Sequence, residues 1–139
     1  MGTTTFNAVM IVDDNEIDNL INQKMIEAAA FAKKILTHTG AKSALEYLKS
    51  IEVMSEDNVE KFLPEVIFLD IDMPIMDGFQ FLEEYASLSQ KTKDYVKIIM
   101  LTSSINPQDL AKSRKNNYVV QFFNKPLSLD TLSKISGIA

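Results

Sequence analysis

The chain has 139 residues, 46% hydrophobic and 24% charged, which suits one globular domain with a substantial core. Its formal net charge of -5 argues against direct binding to nucleic acid, because such binding needs a basic surface. The absence of cysteine excludes disulfides and thiolate metal sites. No run of about 18 apolar residues and no signal peptide is present, so we expect a cytoplasmic protein without membrane insertion.

Five segments are predicted to be strands. Four of them are nearly unbroken runs of β-branched and apolar residues, which are typical of a parallel sheet covered on both faces. These four runs are Val9–Val12, Val66–Leu69, Val96–Leu101 and Val119–Phe123. The fifth segment, Ile35–Thr39, is half polar, and this favours a position at the edge of the sheet.

Helical periodicity predicts a helix after each strand. The first helix covers about 15–30, with a buried face made of Ile17, Leu20, Ile21, Met25 and Ala28. The second helix is predicted to bury Ala41, Ala44, Leu45 and Leu48. The third helix begins after Gly78 and is predicted to bury Leu82, Tyr85, Ala86 and Leu88.

The fourth helix begins at Asn106-Pro107, an N-cap residue followed by a proline in the first turn. Only Leu110 and Ala111 anchor it, so we expect it to be weakly held. The fifth helix covers Leu127–Ile138 and is capped by Ser128. Residues 55–61 are polar and are predicted to form a surface loop. Five alternations of strand and helix predict an α/β fold, a doubly wound parallel sheet with helices on both faces.

Polar residues follow the carboxyl ends of the predicted strands, where sites form in open α/β sheets. Asp13 and Asp14 follow the first strand, Asp70 the third, Thr102 the fourth and Lys125 the fifth. Three carboxylates at one edge of a sheet repel one another unless a hard cation lies among them. The pattern therefore predicts a magnesium site beside a carboxylate that can attack a phosphoryl group.

Each of these residues also has an ordinary structural explanation. Asp13 or Asp14 can cap the following helix, Asp70 can shape a turn, Thr102 can belong to a plain loop, and Lys125 can be a solvated surface charge. The lone histidine, His38, is expected at the surface. The functional interpretation is favoured because all the polar strand ends share one edge of the sheet.

The chain resembles the receiver domains of response regulators in bacterial two-component signalling. The resemblance rests on Asp13-Asp14, the segment Leu69–Gly78 (LDIDMPIMDG), Thr102 and Lys125-Pro126, which occur in the family's order. It implies a flavodoxin-like receiver fold, a five-stranded parallel sheet in the order 2-1-3-4-5. Known members of the family have this strand order.

The resemblance also implies a role for each site residue. Asp70 is the expected phosphoacceptor, assisted by Lys125 and by Thr102, whose hydroxyl contacts the phosphoryl group. Phe122 is the expected switch aromatic, although tyrosine is common there in the family. The implied ligands of Mg²⁺ (or Mn²⁺) are Asp13, Asp14, Asp70 and the backbone carbonyl of Asp72. The Lys125-Pro126 bond is expected to be cis.

The implied function is to accept a phosphoryl group from a sensor histidine kinase or phosphotransfer protein. A surface made of the fourth helix, the fifth strand and the fifth helix would then bind an unknown downstream protein. Residues 1–139 are expected to form one receiver domain without an output domain or enzymatic turnover, and phosphorylation-dependent homodimerisation stays open. The main alternative is a metal-dependent phosphohydrolase of haloacid-dehalogenase type, because Asp70-Ile71-Asp72 matches that family's Asp-x-Asp.

Overall fold

The computed structural model describes residues 6–54, 62–103 and 106–136. Its strands are β1 (Phe6–Val12), β2 (Ala32–His38), β3 (Val66–Asp70), β4 (Lys97–Thr102) and β5 (Val119–Asn124). Its helices are α1 (Glu16–Ala28), α2 (Ala41–Glu52), α3 (Gly78–Tyr85), α4 (Gln90–Tyr95), α5 (Pro107–Lys115) and α6 (Leu129–Ser136). The loop predicted over 55–61 and the last residues predicted for the fifth helix lie outside the described residues.

The strands form one parallel sheet in the order β2-β1-β3-β4-β5, as predicted. Successive side chains of a strand point to opposite faces, so each buried strand contributes side chains to two hydrophobic cores, one on each face of the sheet. On one face Met10 and Val12 pack with residues of α2 and α3. On the other face Val9 and Ile11 pack with residues of α1 and α6. Helices therefore cover both faces of the sheet.

Helix α1 does not bury the face that its apolar residues predicted. Ile17, Leu20 and Ile21 are 69%, 55% and 39% exposed, whereas Asn19 and Asn22 are buried. The amide group of Asn19 donates to the backbone oxygen of Asp13 at 2.8 Å, and Oδ1 of Asn22 accepts from the Leu127 amide at 2.9 Å. Each amide group thus has one backbone partner, which compensates part of its burial, while Asn19 Oδ1 and Asn22 Nδ2 are buried without one; the apolar ridge faces outward.

Three further differences concern the elements around β4 and β5. Strand β5 is the second edge of the sheet and only partly buried, although its apolar run predicted a covered strand. In α5 the buried residue is Ser113, whose hydroxyl donates to the Leu110 carbonyl, while Ala111 is exposed. Ala86 of the third predicted helix is also exposed.

Helix α4 was not predicted, because it contains little apolar sequence. Its signal is polar: Oγ of Ser89 accepts from the Thr92 amide, and Glu52 accepts from both Ser89 and Thr92. A capping pattern of this kind marks a helix start without any hydrophobic period.

Among the described residues, no helix has the length and hydropathy that crossing a membrane requires.

Candidate functional site

The register of the sheet brings the predicted site residues together. Val12 pairs with Leu69, so the next residues on these strands, Asp13 and Asp70, are neighbours. Asp70 pairs with Leu101, which places Thr102 one residue further along the edge. Thr102 pairs with Asn124, and the Thr102 carbonyl accepts a 2.8 Å hydrogen bond from the Lys125 amide. Residues far apart in sequence therefore form one cluster because three parallel pairings align them.

Three carboxylates form the centre of this cluster. Asp13, Asp14 and Asp70 each offer one oxygen, and these oxygens lie within 4.8 Å of one another. Asp13 and Asp70 are 1% and 4% exposed, whereas Asp14 is exposed to solvent. A set of carboxylate oxygens open to water on one side fits Mg²⁺ or Mn²⁺, which prefer oxygen ligands and retain bound water.

Lys125 supplies the positive charge at the cluster. Its Nζ lies 2.6 Å from Asp13 Oδ2, 3.0 Å from Asp18 Oδ2 and 3.2 Å from Asp70 Oδ1, and the side chain is 8% exposed. The Lys125-Pro126 peptide bond is cis, as the resemblance implied. Burial of the ammonium is compensated by these three ion pairs, so the lysine is held between Asp13, Asp18 and Asp70.

The electrostatics of the cluster raise the pKa values of both Asp70 and Lys125. Burial and the neighbouring Asp13 charge raise the pKa of Asp70 to about 6, although Lys125 opposes the rise. Burial lowers the pKa of Lys125, but contacts with Asp13 and Asp18 and the charge of Asp70 outweigh it, so the pKa is raised overall. Lys125 therefore stays charged, whereas Asp70 titrates much closer to neutral pH than an ordinary aspartate does.

The loop after β3 fixes the backbone of Asp70. The Gly78 amide donates to the Ile71 carbonyl at 2.9 Å, and Asp77 and Gln80 form a reciprocal capping box that begins α3. A Cβ on Gly78 would lie 2.8 Å from the Asp70 backbone oxygen and 3.0 Å from Met100 Cε. Glycine at this position is therefore required for the close approach of α3 to the site.

We expect Gly78→Ala to reduce the free energy of unfolding by about 1 to 3 kcal/mol, because the added methyl group overlaps the Asp70 backbone. Urea unfolding measures the change. Gly40→Ala, at the N-cap of α2, is the control, since a Cβ there would meet nothing within 4 Å and only the weaker capping by alanine would cost stability. A loss at Gly78 no larger than at Gly40 would contradict this packing.

The remaining predicted residues lie around the cluster. Thr102 is 1% exposed at the end of β4, and Phe122 is half-buried on β5. Asp72 lies two residues beyond Asp70 with its side chain exposed, and its carbonyl stays a predicted ligand. His38 is partly exposed on the edge strand β2, with Nδ1 2.7 Å from the Ser43 hydroxyl, and burial lowers its pKa.

Sequence reasoning missed Asp18 as a site residue. It lies in the first turn of α1, where an acid is ordinarily explained by the positive end of the helix dipole. Its contact with Lys125 joins residues 107 positions apart. The sequence around Asp18 does not reveal this contact. Asp18 can be identified as a site residue only once Lys125 is known to reach α1.

The sequence matches the family model described as the response regulator receiver domain over residues 9–136. The probable methanogenesis regulatory protein FilR2 of Methanothrix harundinacea is 26% identical over 91% of this chain and 76% of that protein. Several other curated relatives are much longer, and the chain spans between 10% and 32% of their length.

Solved structures of response regulators have the same fold. One from Cytophaga hutchinsonii superposes with a TM-score of 0.87 at 24% identity, covering 97% of both chains. The phosphorylated cyanobacterial phytochrome response regulator RcpA gives a TM-score of 0.71 at 25% identity, covering 96% of this chain and 91% of that one. The matched proteins include response regulators, a sensor histidine kinase and protein-glutamate methylesterases, and they give no support to the phosphohydrolase alternative. The chain is a member of the response regulator receiver family, the phosphoacceptor domains of two-component signalling.

Proposed function

We propose that Asp70 accepts a phosphoryl group in a reaction that depends on Mg²⁺. The observation that carries this proposal is the meeting of three carboxylates within 4.8 Å, with the Lys125 ammonium 3.2 Å from Asp70. Asp13, Asp14 and Asp70, with the Asp72 carbonyl, would hold Mg²⁺ or Mn²⁺. When bound, the cation offsets the negative charge of the carboxylates and of an incoming phosphoryl group.

The reaction transfers one group and balances within the two proteins. A carboxylate oxygen of Asp70 attacks phosphorus, and the bond from phosphorus to the imidazole nitrogen of a donor phosphohistidine breaks. The product is an acyl phosphate on Asp70 and a free histidine on the donor. Lys125 contacts a phosphoryl oxygen as negative charge shifts toward it, and its aim is set beforehand by the three ion pairs.

The donor that we propose is a sensor histidine kinase or a phosphotransfer protein, docking on α1. Ile17, Leu20 and Ile21 expose an apolar ridge on the helix that follows Asp13 and Asp14. An exposed apolar ridge marks a protein-binding surface, and one beside the acceptor would bring a helical donor to it. Because such kinases use ATP, we place the reaction in the cytoplasm.

Replacing Ile17 and Leu20 together with serine is expected to slow phosphotransfer from a donor protein by at least about tenfold, since two apolar anchors are lost. Phosphorylation by acetyl phosphate should be unchanged, because that donor needs no docking surface. The probe is a panel of purified histidine kinases of the source organism, autophosphorylated with labelled ATP. Val53→Ser, which alters an 86% exposed valine after α2, is the control; equal effects of both changes would refute docking on α1.

We further propose that phosphorylation changes a surface made of α5, β5 and α6. Thr102 would donate its hydroxyl to the phosphoryl group and draw its loop inward, and Phe122 would turn with it. Phe122 already lines a cavity of about 180 Å³ between α5 and β5, together with Leu110, Ser113, Arg114, Val119, Val120 and Gln121. A downstream protein, or a second copy of the chain, would bind the altered surface.

Stoichiometry separates this function from that of a phosphohydrolase. The protein is incubated with Mg²⁺ and acetyl phosphate, and its intact mass is measured. We expect one phosphoryl group per chain, none after chelation of Mg²⁺ and none on Asp70→Asn. Asp72→Asn, which changes the neighbouring exposed acid, should still be phosphorylated. Rapid release of many phosphates per chain without an adduct would instead favour the phosphohydrolase.

A further inference from the structure

The ammonium of Lys125 has more carboxylate neighbours than the acceptor site needs. An ammonium has three donors, and Nζ of Lys125 contacts Asp13, Asp18 and Asp70. Asp13 and Asp70 belong to the group of carboxylates that can share a cation, whereas Asp18 does not. The contact with Asp18 is a hydrogen bond of 3.0 Å, and it comes from a helix rather than from the end of a strand.

Asp18 lies on the solvent side of the lysine. Its side chain is 32% exposed, compared with 2% for Asp13 and 5% for Asp70. Without Asp18, the two buried carboxylates, already 2.6 Å and 3.2 Å from Nζ, would be the described partners left to the ammonium. The lysine would then occupy the space and satisfy the charges that a divalent cation needs.

The backbone of Asp18 is tied to the acid cluster by two short links. The Asn15 amide donates to Asp13 Oδ1 at 2.9 Å, and Asn15 Oδ1 accepts from the Asp18 amide at 3.0 Å. Asn15 is thus both the N-cap of α1 and a spacer between the two aspartates. The Asp18 carboxylate therefore has a defined position relative to the site.

We propose that Asp18 is a positioning residue for Lys125. It gives the ammonium a carboxylate partner outside the cation site, so that Asp13 and Asp70 can turn to a cation while the lysine stays aimed at the incoming phosphoryl group. The inference rests on the proposed function, because the position of the ammonium matters for the reaction only if Asp70 accepts a phosphoryl group. It adds a fourth carboxylate to the site, one that binds neither the cation nor the phosphoryl group.

The test compares Asp18→Asn with Glu16→Gln, which removes one negative charge from the same helical turn but not one of the three carboxylates that pair with Lys125. Calorimetry gives the dissociation constant of Mg²⁺ for each protein. We expect Asp18→Asn to raise this constant about fivefold and Glu16→Gln to raise it less than about twofold. At saturating Mg²⁺, phosphorylation by acetyl phosphate should also be slowed about fivefold in Asp18→Asn alone.

A double-mutant cycle with Lys125→Met shows whether the effect passes through the lysine. In the Lys125→Met protein, Asp18→Asn should change the Mg²⁺ dissociation constant no more than Glu16→Gln does. Equal effects of Asp18→Asn with and without Lys125, or equal effects of the Asp18 and Glu16 changes, would overturn the inference alone. A wild-type protein that neither binds Mg²⁺ nor accepts a phosphoryl group would overturn the proposed function and this inference together.

Discussion

Replacing Asp70 with asparagine is expected to stabilise the metal-free protein by about 1 to 3 kcal/mol at pH 7.5. The pKa of Asp70 is about 6 in the folded protein, compared with an ordinary value of 3.8, because the carboxyl is buried beside Asp13. A charged Asp70 therefore costs the folded state up to about 3 kcal/mol. Asparagine keeps the shape and an acceptor oxygen without that charge.

The sign of the pH dependence follows from the raised pKa. Between pH 3.8 and about 6 the folded protein binds the Asp70 proton more tightly than the unfolded chain does. The stabilising contribution of Asp70 is complete below this range and is lost as the pH rises through 6. The advantage of Asp70→Asn should thus be largest above pH 7 and should shrink below pH 6.

Urea unfolding in a chelating buffer, at several pH values, measures this advantage. Asp72→Asn is the control, because its side chain is exposed two residues away. A wild-type protein as stable as Asp70→Asn at pH 7.5 would mean that the charge of Asp70 carries no cost. The expected gain is typical of a functional group that is kept at the expense of stability.

Lys125→Met is expected to have the opposite effect, a loss of about 2 to 4 kcal/mol in metal-free buffer at pH 7.5. The substitution leaves Asp13 and Asp70 buried without their cation, and removing one partner of a buried ion pair is strongly destabilising. Methionine has a similar length, so lost packing contributes little. Chemical unfolding gives the size of the loss.

Magnesium should restore much of this loss. A divalent cation replaces the missing positive charge, so about 10 mM Mg²⁺ is expected to stabilise Lys125→Met more than the wild type. Lys134→Met is the control, because its ion pair with Asp130 is 66% and 78% exposed and should be worth less than about 1 kcal/mol. Equal losses at Lys125 and Lys134, or equal gains from Mg²⁺, would show that Lys125 does not balance the acid cluster.

Much of the site followed from the sequence because it depends on strand ends. Continuous apolar runs identified the strands, and residues directly after parallel strands share one edge whatever the helices do. Asp13, Asp70, Thr102 and Lys125 therefore met as expected. The fold order, which periodicity alone does not give, came from the resemblance.

The errors have a common physical origin. Ile17 and Leu20 were placed inside because apolar spacing was taken as the measure of burial, whereas the buried amides of Asn19 and Asn22 satisfy backbone groups. Asp18 was missed because its partner, Lys125, comes from the far end of the chain. Side-chain hydrogen bonds over long sequence separations leave no periodic signal.

The acceptor role of Asp70 is tested most directly by chemical trapping. The protein is phosphorylated with acetyl phosphate and Mg²⁺ and then reduced with borohydride, which converts an aspartyl phosphate to homoserine. Peptide mass spectrometry locates the product. We predict homoserine at position 70 and unmodified aspartate at Asp13, Asp14 and Asp72. Homoserine at any of these three positions in place of 70, or a phosphorylated protein without homoserine, would contradict the account.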